Sequence, residues 1–291
     1  MAEPGNDLYN AQPFTFESLR RARQYTGQYA QVEFLSVQYE EDEEAVPDYF
    51  KKLPNLTRSI REVANIPSAR KLPLITDIIH AAFTHSSAEY FIYTNADIIV
   101  CPNFYEAVGA LISSGYDCVS ITRRRITKNW KGVDELSLIQ AQLGRLHPGY
   151  DCFVFHRSMV PKFNFGNICI GTGFTSVAFI FNLLAFSHHP CITHDLHLTL
   201  HLGLEVMPPL EKKVYRYTRH HFEKDIYPLL KPHLDIKKFP YYELPFHKRL
   251  LKWALNPNFH SPIMLELSGK PLKRKIKALV DEIRFSLLEK I

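Results

Sequence analysis

The sequence predicts an α/β fold: a mostly parallel central sheet with helices on both faces, followed by a C-terminal helical extension. Two observations predict it. Short apolar runs rich in Val, Ile, Phe and Tyr alternate with stretches whose apolar residues recur every three or four positions, through residue 123. Alternation of that kind places covering helices on a largely parallel sheet. From about Glu205 the texture changes to a Pro- and aromatic-rich stretch with short helical pieces, which reads as a wrap over the preceding domain.

Taken in order, "FTFESLRRARQYTGQYA" predicts a helix over 16–29, with Thr15 as its cap and Leu19, Ala22 and Tyr25 or Thr26 at helical spacing. "QVEFLSVQY", 31–39, predicts a strand, and "EEDEE", 40–44, an acidic turn. Pro47, Pro54 and Pro67 break any long element over 47–70. Leu74, Ile75, Ile78, Ile79, Ala82 and Phe83 share one helix face. "EYFIYTNAD" predicts the next strand. "NFYEAVGALISSG" follows as a helix with Phe104, Val108, Leu111 and Ile112 inward and Gly115 as its stop. "YDCVSITRRR" predicts a strand running into a basic loop. "HPGYDCFVF", 147–155, is another strand candidate. "GFTSVAFIFNLLAF", 173–186, predicts a buried helix, too short to span a bilayer and interrupted by Asn182. At the end, Ile276, Leu279, Val280, Ile283 and Leu287 predict a basic-fronted amphipathic helix. The expected division is one domain over 14–205 and an extension over 206–291 packed on it. A helix precedes any clear strand, so the opening strand is absent or the sheet is built in another order.

Composition narrows the function classes. A net charge of +5 spread over 291 residues lacks the concentrated basic face that nucleic-acid binding needs, and no nucleic-acid partner is expected. The five cysteines stand singly with no C-x-x-C pair, which predicts free thiols in a reducing compartment. No basic-then-apolar leader opens the chain, so a soluble cytoplasmic protein is expected. Neither a P-loop, nor a dinucleotide fingerprint, nor a serine nucleophile elbow occurs.

Four constellations carry possible chemistry. Asn95 and Asp97 sit at the carboxyl end of a strand, where α/β folds bind ligands. Asp97 could ligate a hard cation such as Mg²⁺ or Mn²⁺, or cap the following turn; on a regular strand Asn95 would share its face and bind the ion, a ribose or a sugar hydroxyl. The basic loop 122–131 lies near the same crevice: Arg123, Arg124 and Arg125 could neutralise a diphosphate, and Lys128 and Trp130 could add a charge and a stacking face, or the loop is simply solvated. His194, His197 and His201 are spaced by three and four, so they could share a helix face and bind zinc; a strand reading also keeps His197 and His201 on one side. Asp151, in "HPGYDCFVF", is either a turn former or a site acid.

"YFIYTNADIIVCPNFYEAV" resembles the strand, loop and helix around the D-x-D-type motif of nucleotide-sugar glycosyltransferases with the GT-A fold, with Asn95 in place of the first Asp. "VEFLSVQY" resembles the second strand of that fold. The resemblance implies a Rossmann-like sheet, possibly shortened by its first strand. It implies a divalent cation (Mn or Mg) held by Asp97 with a late histidine from the 194–201 cluster, and a nucleotide-sugar donor bound over the strand ends. In inverting members an acidic residue near Asp151 takes the acceptor's proton. The expected activity is transfer of a sugar from a nucleotide-diphosphate donor to an acceptor of unknown kind. Two alternatives stand beside it: a non-catalytic scaffold of the same fold, and a metal-dependent hydrolase built on the histidine cluster.

Overall fold

In a computed structural model, the structure describes residues 7–67, 69–147, 149–192, 196–203, 211–256 and 258–260. The chain opens with helix α1 (Asp7–Thr26), longer and earlier than the 16–29 helix expected. Ala11, Phe14, Thr15, Ser18, Ala22 and Thr26 form its buried stripe. Burying Ala11 and Phe14 extends the helix backwards across Pro13, and Thr15 lies inside it rather than capping it. The expected strand over 31–39 shrinks to β1 (Leu35–Ser36), which pairs in parallel with β2 (Lys51–Lys52). This pair stands apart from the two larger sheets, so the sheet that carries the candidate site begins only at residue 90. The acidic run forms a 3-10 turn, Glu40–Ala45.

The short helix α2 (Ile60–Val63) starts with a capping box, Ser59 with Glu62. It is followed by α3 (Ile75–His85), β3 (Tyr90–Thr94), β4 (Ile98–Val100) and α4 (Phe104–Ser113). Gly115 stops α4 with φ at +92°, the left-handed conformation expected of a helix C-terminal glycine. Then come β5 (Cys118–Ile121), β6 (Arg124–Ile126), α5 (Leu136–Gln140), β7 (Arg145–Leu146), β8 (Cys152–His156), α6 (Thr175–Phe186), β9 (Pro190–Ile192) and β10 (Thr199–Leu202). The C-terminal part holds α7 (Lys212–His221), a π-turn over Phe222–Ile226, α8 (Tyr227–Leu230) and α9 (Phe246–Leu255). The amphipathic helix expected near 276–287 lies outside the described residues.

Two four-stranded sheets organise the centre, one in the order β3-β8-β5-β9 and one in the order β4-β10-β6-β7. In the first, β3, β5 and β9 share one direction, as expected of a mostly parallel sheet. Strand β8 runs against them between β3 and β5, so both of its pairings are antiparallel. The apolar run at 152–156 fits a central strand of either direction, which is why sequence alone does not reveal the reversal.

Helices cover both faces of this sheet. Along β8, Phe153 and Phe155 join the cluster of α6, and Cys152 and Val154 join that of α1 and α4, the period-two alternation of a strand. Helix α6 is buried nearly all round. Phe179 stacks on Phe153 with ring centroids 4.5 Å apart, and Phe181 meets Phe222, Tyr227 and Phe259 of the C-terminal part. The Asn182 side chain is fully used: Nδ2 donates to Asn164 O (2.9 Å) and Ala178 O (2.8 Å), and Oδ1 accepts from Asn164 N (2.6 Å). All five cysteines are free thiols. No helix among the described residues is long and apolar enough to cross a membrane.

Phe179→Ala is expected to cost about 3–5 kcal/mol, the range for deleting a core phenylalanine. The exposed Leu138→Ala should stay within about 0.5 kcal/mol. Urea denaturation midpoints measure both, and a small loss at Phe179 would mean that α6 does not organise the core.

Candidate active site

The two sheets share a seam. Strand β3 leads into β4 through Asn95–Asp97, and β5 leads into β6 through Thr122–Arg123. Strand β7 of one sheet is followed by β8 of the other, and β9 of one by β10 of the other. At each crossing the backbone leaves one ladder before it enters the next, so its polar groups need other partners. Side chains supply some of them. The Thr122 hydroxyl donates between the carbonyls of His147 (3.0 Å) and Gly149, and Thr199 Oγ1 donates to Thr122 O (3.1 Å). His147 N donates to Arg123 O (3.1 Å), and Ser18 Oγ of α1 accepts from Val100 N (3.0 Å).

These crossings bring charged side chains together. Arg123 Nη1 donates to Asp151 Oδ1 at 2.8 Å in a nearly buried ion pair. His201, on β10, places Nε2 3.1 Å from Asp97 Oδ2. His147 Nε2 lies 3.9 Å from Asp151 Oδ2, too far for a hydrogen bond. Asp97 Oδ1, Asp151 Oδ2, His201 Nδ1 and His147 Nδ1 are buried atoms with no hydrogen-bond partner among the described residues. Leaving a buried polar atom unpaired costs about 1–3 kcal/mol, so four in one place mark a site built to receive polar groups from outside the chain.

The two acids are driven in opposite directions. Burial pushes Asp97 up, but the hydrogen bond from His201, the His201 charge and Arg123 outweigh it and hold the carboxyl below the usual range. Burial pushes Asp151 up, Arg123 opposes, the neighbouring Asp97 charge adds to the rise, and the net direction is upward. Burial, together with the charges of Arg123, Arg125 and His201, drives the His147 imidazole down to about 2, so His147 is neutral in the folded protein.

The expected residues divide. Asp97, Arg123, Asp151 and His201 converge. Asn95 sits beside them, but in a turn rather than on a strand; its Oδ1 accepts from Tyr93 Oη at 3.2 Å, and its carbonyl accepts from Ile98 N. The shared face expected of Asn95 and Asp97 therefore does not apply. The basic stretch expected as a loop forms β6, so its arginines alternate. Arg125 pairs in register with His201 and takes the site face. Arg124 takes the other face, and its Nη1 donates to Leu143 O. Trp130 packs with Val133 on the cluster of Ile99, Leu136 and Leu200, on the face of the β4-β10-β6-β7 sheet opposite His201, and Nε1 donates to Thr127 O (2.8 Å). Neither Arg124 nor Trp130 reaches the site.

The histidine cluster does not hold together. His197 stands before β10 with φ at +50°, and its Nε2 lies 3.0 Å from Gln142 O. This left-handed residue breaks the period that would align His197 with His201. His194 lies outside the described residues. Among the described residues, no three His, Cys, Asp or Glu side chains come together as a metal-binding group. Asp97 and His201 still place an oxygen and a nitrogen donor side by side, the two residues here that would hold a divalent cation. His147 is a site residue that the sequence reading does not single out. The four-residue spacing of His147 from Asp151 was the available signal.

His147 sets a pH dependence with a definite sign. Unfolded, it takes a proton near pH 6.5; folded, only near 2. Its contribution to stability is complete above pH 6.5 and is lost as pH falls below that value. Asp97 acts in the same direction at lower pH, whereas Asp151, raised in the fold, acts oppositely. His147→Gln should therefore lose less stability than the wild type between about pH 6.5 and 5, read as Tm against pH. Parallel curves would mean that His147 is not held neutral.

No protein-family model matches the chain, and no curated protein matches it. Solved structures are similar to it. TarS 1–349 of S. aureus in complex with UDP-GlcNAc is 10% identical with a TM-score of 0.47, over 92% of this chain and 75% of that one. A second structure of TarS 1–349 is 9% identical with a TM-score of 0.46, over 92% and 74%. The mannosyltransferase PcManGT of Pyrobaculum calidifontis, in complex with GDP-Man and Mn²⁺, is 14% identical with a TM-score of 0.35, over 96% and 90%.

Proposed function

We propose that this chain is a glycosyltransferase that moves a sugar from a nucleotide-diphosphate donor to an acceptor hydroxyl at the seam between the two sheets. The observation that carries the reading is the pairing there of Asp97 with His201 and of Arg123 with Asp151, each acid keeping one buried, unpartnered oxygen. The resemblance of the Asn95–Asp97 segment to a D-x-D-type motif supports it.

Asp97 and His201 are the residues that would hold a divalent cation; when bound, such an ion neutralises the departing diphosphate. Asp97 suits that role because it stays ionised. Asp151 suits the role of base. Arg123 grips Oδ1 and keeps Oδ2 free, and a carboxylate with a raised pKa is a stronger proton acceptor. In the transfer, the acceptor oxygen bonds to the anomeric carbon, the bond from that carbon to the diphosphate oxygen breaks, and the acceptor proton passes to Asp151 Oδ2. Arg123 then faces a neutral acid in place of a carboxylate, and its charge is available to the diphosphate. The hydrolase reading has no comparable support, since His197 points to a backbone carbonyl.

Calorimetric titration of UDP and GDP, with and without Mn²⁺, tests the proposal. Binding is expected to require the ion and to weaken by a factor on the order of 100 in Asp97→Ala. Asp151→Asn should keep nucleotide binding and lower donor turnover roughly 10²–10⁴-fold, measured as nucleoside diphosphate released from a panel of sugar nucleotides. Ion-independent binding that Asp97→Ala leaves intact would overturn the ion's role. Absence of binding and turnover alike would leave the scaffold reading in its place.

A further inference from the structure

The chain's charge is distributed unevenly. Residues 1–245 carry 25 Lys and Arg against 26 Asp and Glu, whereas the last 46 residues carry 10 against 4. The net positive charge of the molecule therefore belongs to the segment that begins with α9, whose own sequence, FHKRLLKWAL, contains no acid.

Helix α9 has two different faces. Trp253 and Ala254 are buried, with Trp253 against Phe239 and its Nε1 donating to Pro240 O at 2.8 Å. Arg249 also turns inward, lying over the Tyr242 and Trp253 rings and donating to Tyr242 O. On the other face, Lys248, Leu251, Lys252 and Leu255 follow one another at i, i+3, i+4 and i+7, all exposed. Leu251 is 53% and Leu255 46% exposed, and Phe246 at the start of the helix is 65% exposed. That spacing is the apolar stripe of an amphipathic helix, but it faces outward and is interleaved with lysines. An ordinary solvated face carries the lysines without the leucines, and a buried face carries the leucines without the lysines. Leucine and lysine together suit the boundary of an anionic bilayer, where the leucines enter the acyl edge and the lysines meet lipid phosphates.

We infer that the outward face of α9 is a docking surface for an anionic membrane, on which the protein lies without crossing it. The complementary charge selects the partner: Lys248, Arg249 and Lys252, with no acid on α9, favour a negatively charged lipid surface over a second copy of the same basic helix. The inference is independent of the sugar-transfer reading, because no α9 residue takes part in the site at the seam.

The test is co-sedimentation of the full chain with vesicles of phosphatidylcholine alone and of phosphatidylcholine with about one-quarter phosphatidylserine. Binding is expected to the anionic vesicles only, and to be largely lost at an ionic strength of about 0.5 M. The double variant Leu251→Ser, Leu255→Ser should weaken it on the order of tenfold. Lys248→Gln with Lys252→Gln should weaken it about thirtyfold, from roughly 1 kcal/mol per lysine at the surface. Both variants should keep the wild-type circular dichroism and nucleotide titration. Equal binding to both vesicle types, no binding to either, binding that both double variants retain in full, or a concentration-dependent dimer dissolved by the leucine changes would each overturn the inference.

Discussion

The Arg123–Asp151 ion pair is the interaction on which the centre of this molecule depends. It joins the crossing from β5 to β6 with the crossing from β7 to β8. Those crossings are two of the places where the backbone passes from one sheet to the other. Without the pair, a buried carboxylate and a buried guanidinium would face each other's absence, a penalty of about 3–5 kcal/mol for removing one partner. With it, the seam is fixed at the point where its chain segments have lost their ladder hydrogen bonds. The same geometry leaves Asp151 with one satisfied oxygen and one open oxygen. Structural need and chemical opportunity thus arise from a single contact.

Around that pair the site separates its acids by environment. Asp97 has an imidazole as its immediate partner and is held ionised; Asp151 lies within reach of the Asp97 charge and is pushed toward the neutral form despite Arg123. Two carboxylates side by side with opposed shifts are suited to different tasks, one to hold charge and the other to exchange a proton. The neutral His147 adds a polar wall without adding a third positive charge beside Arg123 and Arg125.

Much of this was legible in the sequence. The strand ending at Asn95, the helices at 75–85 and 104–113 and the buried helix ending at Phe186 follow from apolar spacing. Asp97 and Arg123 follow from placing polar residues at strand ends, His201 from the spacing of the histidines, and Asp151 from its place before an apolar strand. The failures share one cause: the second sheet. Its strands are two to four residues long, too short to show a period. The basic stretch therefore reads as a loop in which Arg123, Arg124 and Arg125 are equivalent, although alternation on β6 puts Arg125 and not Arg124 on the site face. The left-handed turn at His197, which separates it from His201, is hard to read from residue type, since most histidines, like other non-glycine residues, keep φ negative. The reversal of β8 was equally hidden, because a central strand is apolar whichever way it runs.

Helix α6 presents a problem that its composition does not solve. A cylinder apolar on every side buries equally well at many rotations, and the hydrophobic effect is indifferent among them. Asn182 removes that freedom. Its amide can be satisfied only when it faces the backbone of Asn164, where it both donates and accepts. Any turn of the helix about its axis would strand the amide among phenylalanines. One polar residue therefore acts as a key that sets the rotational phase of the most apolar element in the molecule. Through the contacts of Phe179 with Phe153 and of Phe181 with Phe259, that phase is passed to the sheet on one side and to the C-terminal part on the other.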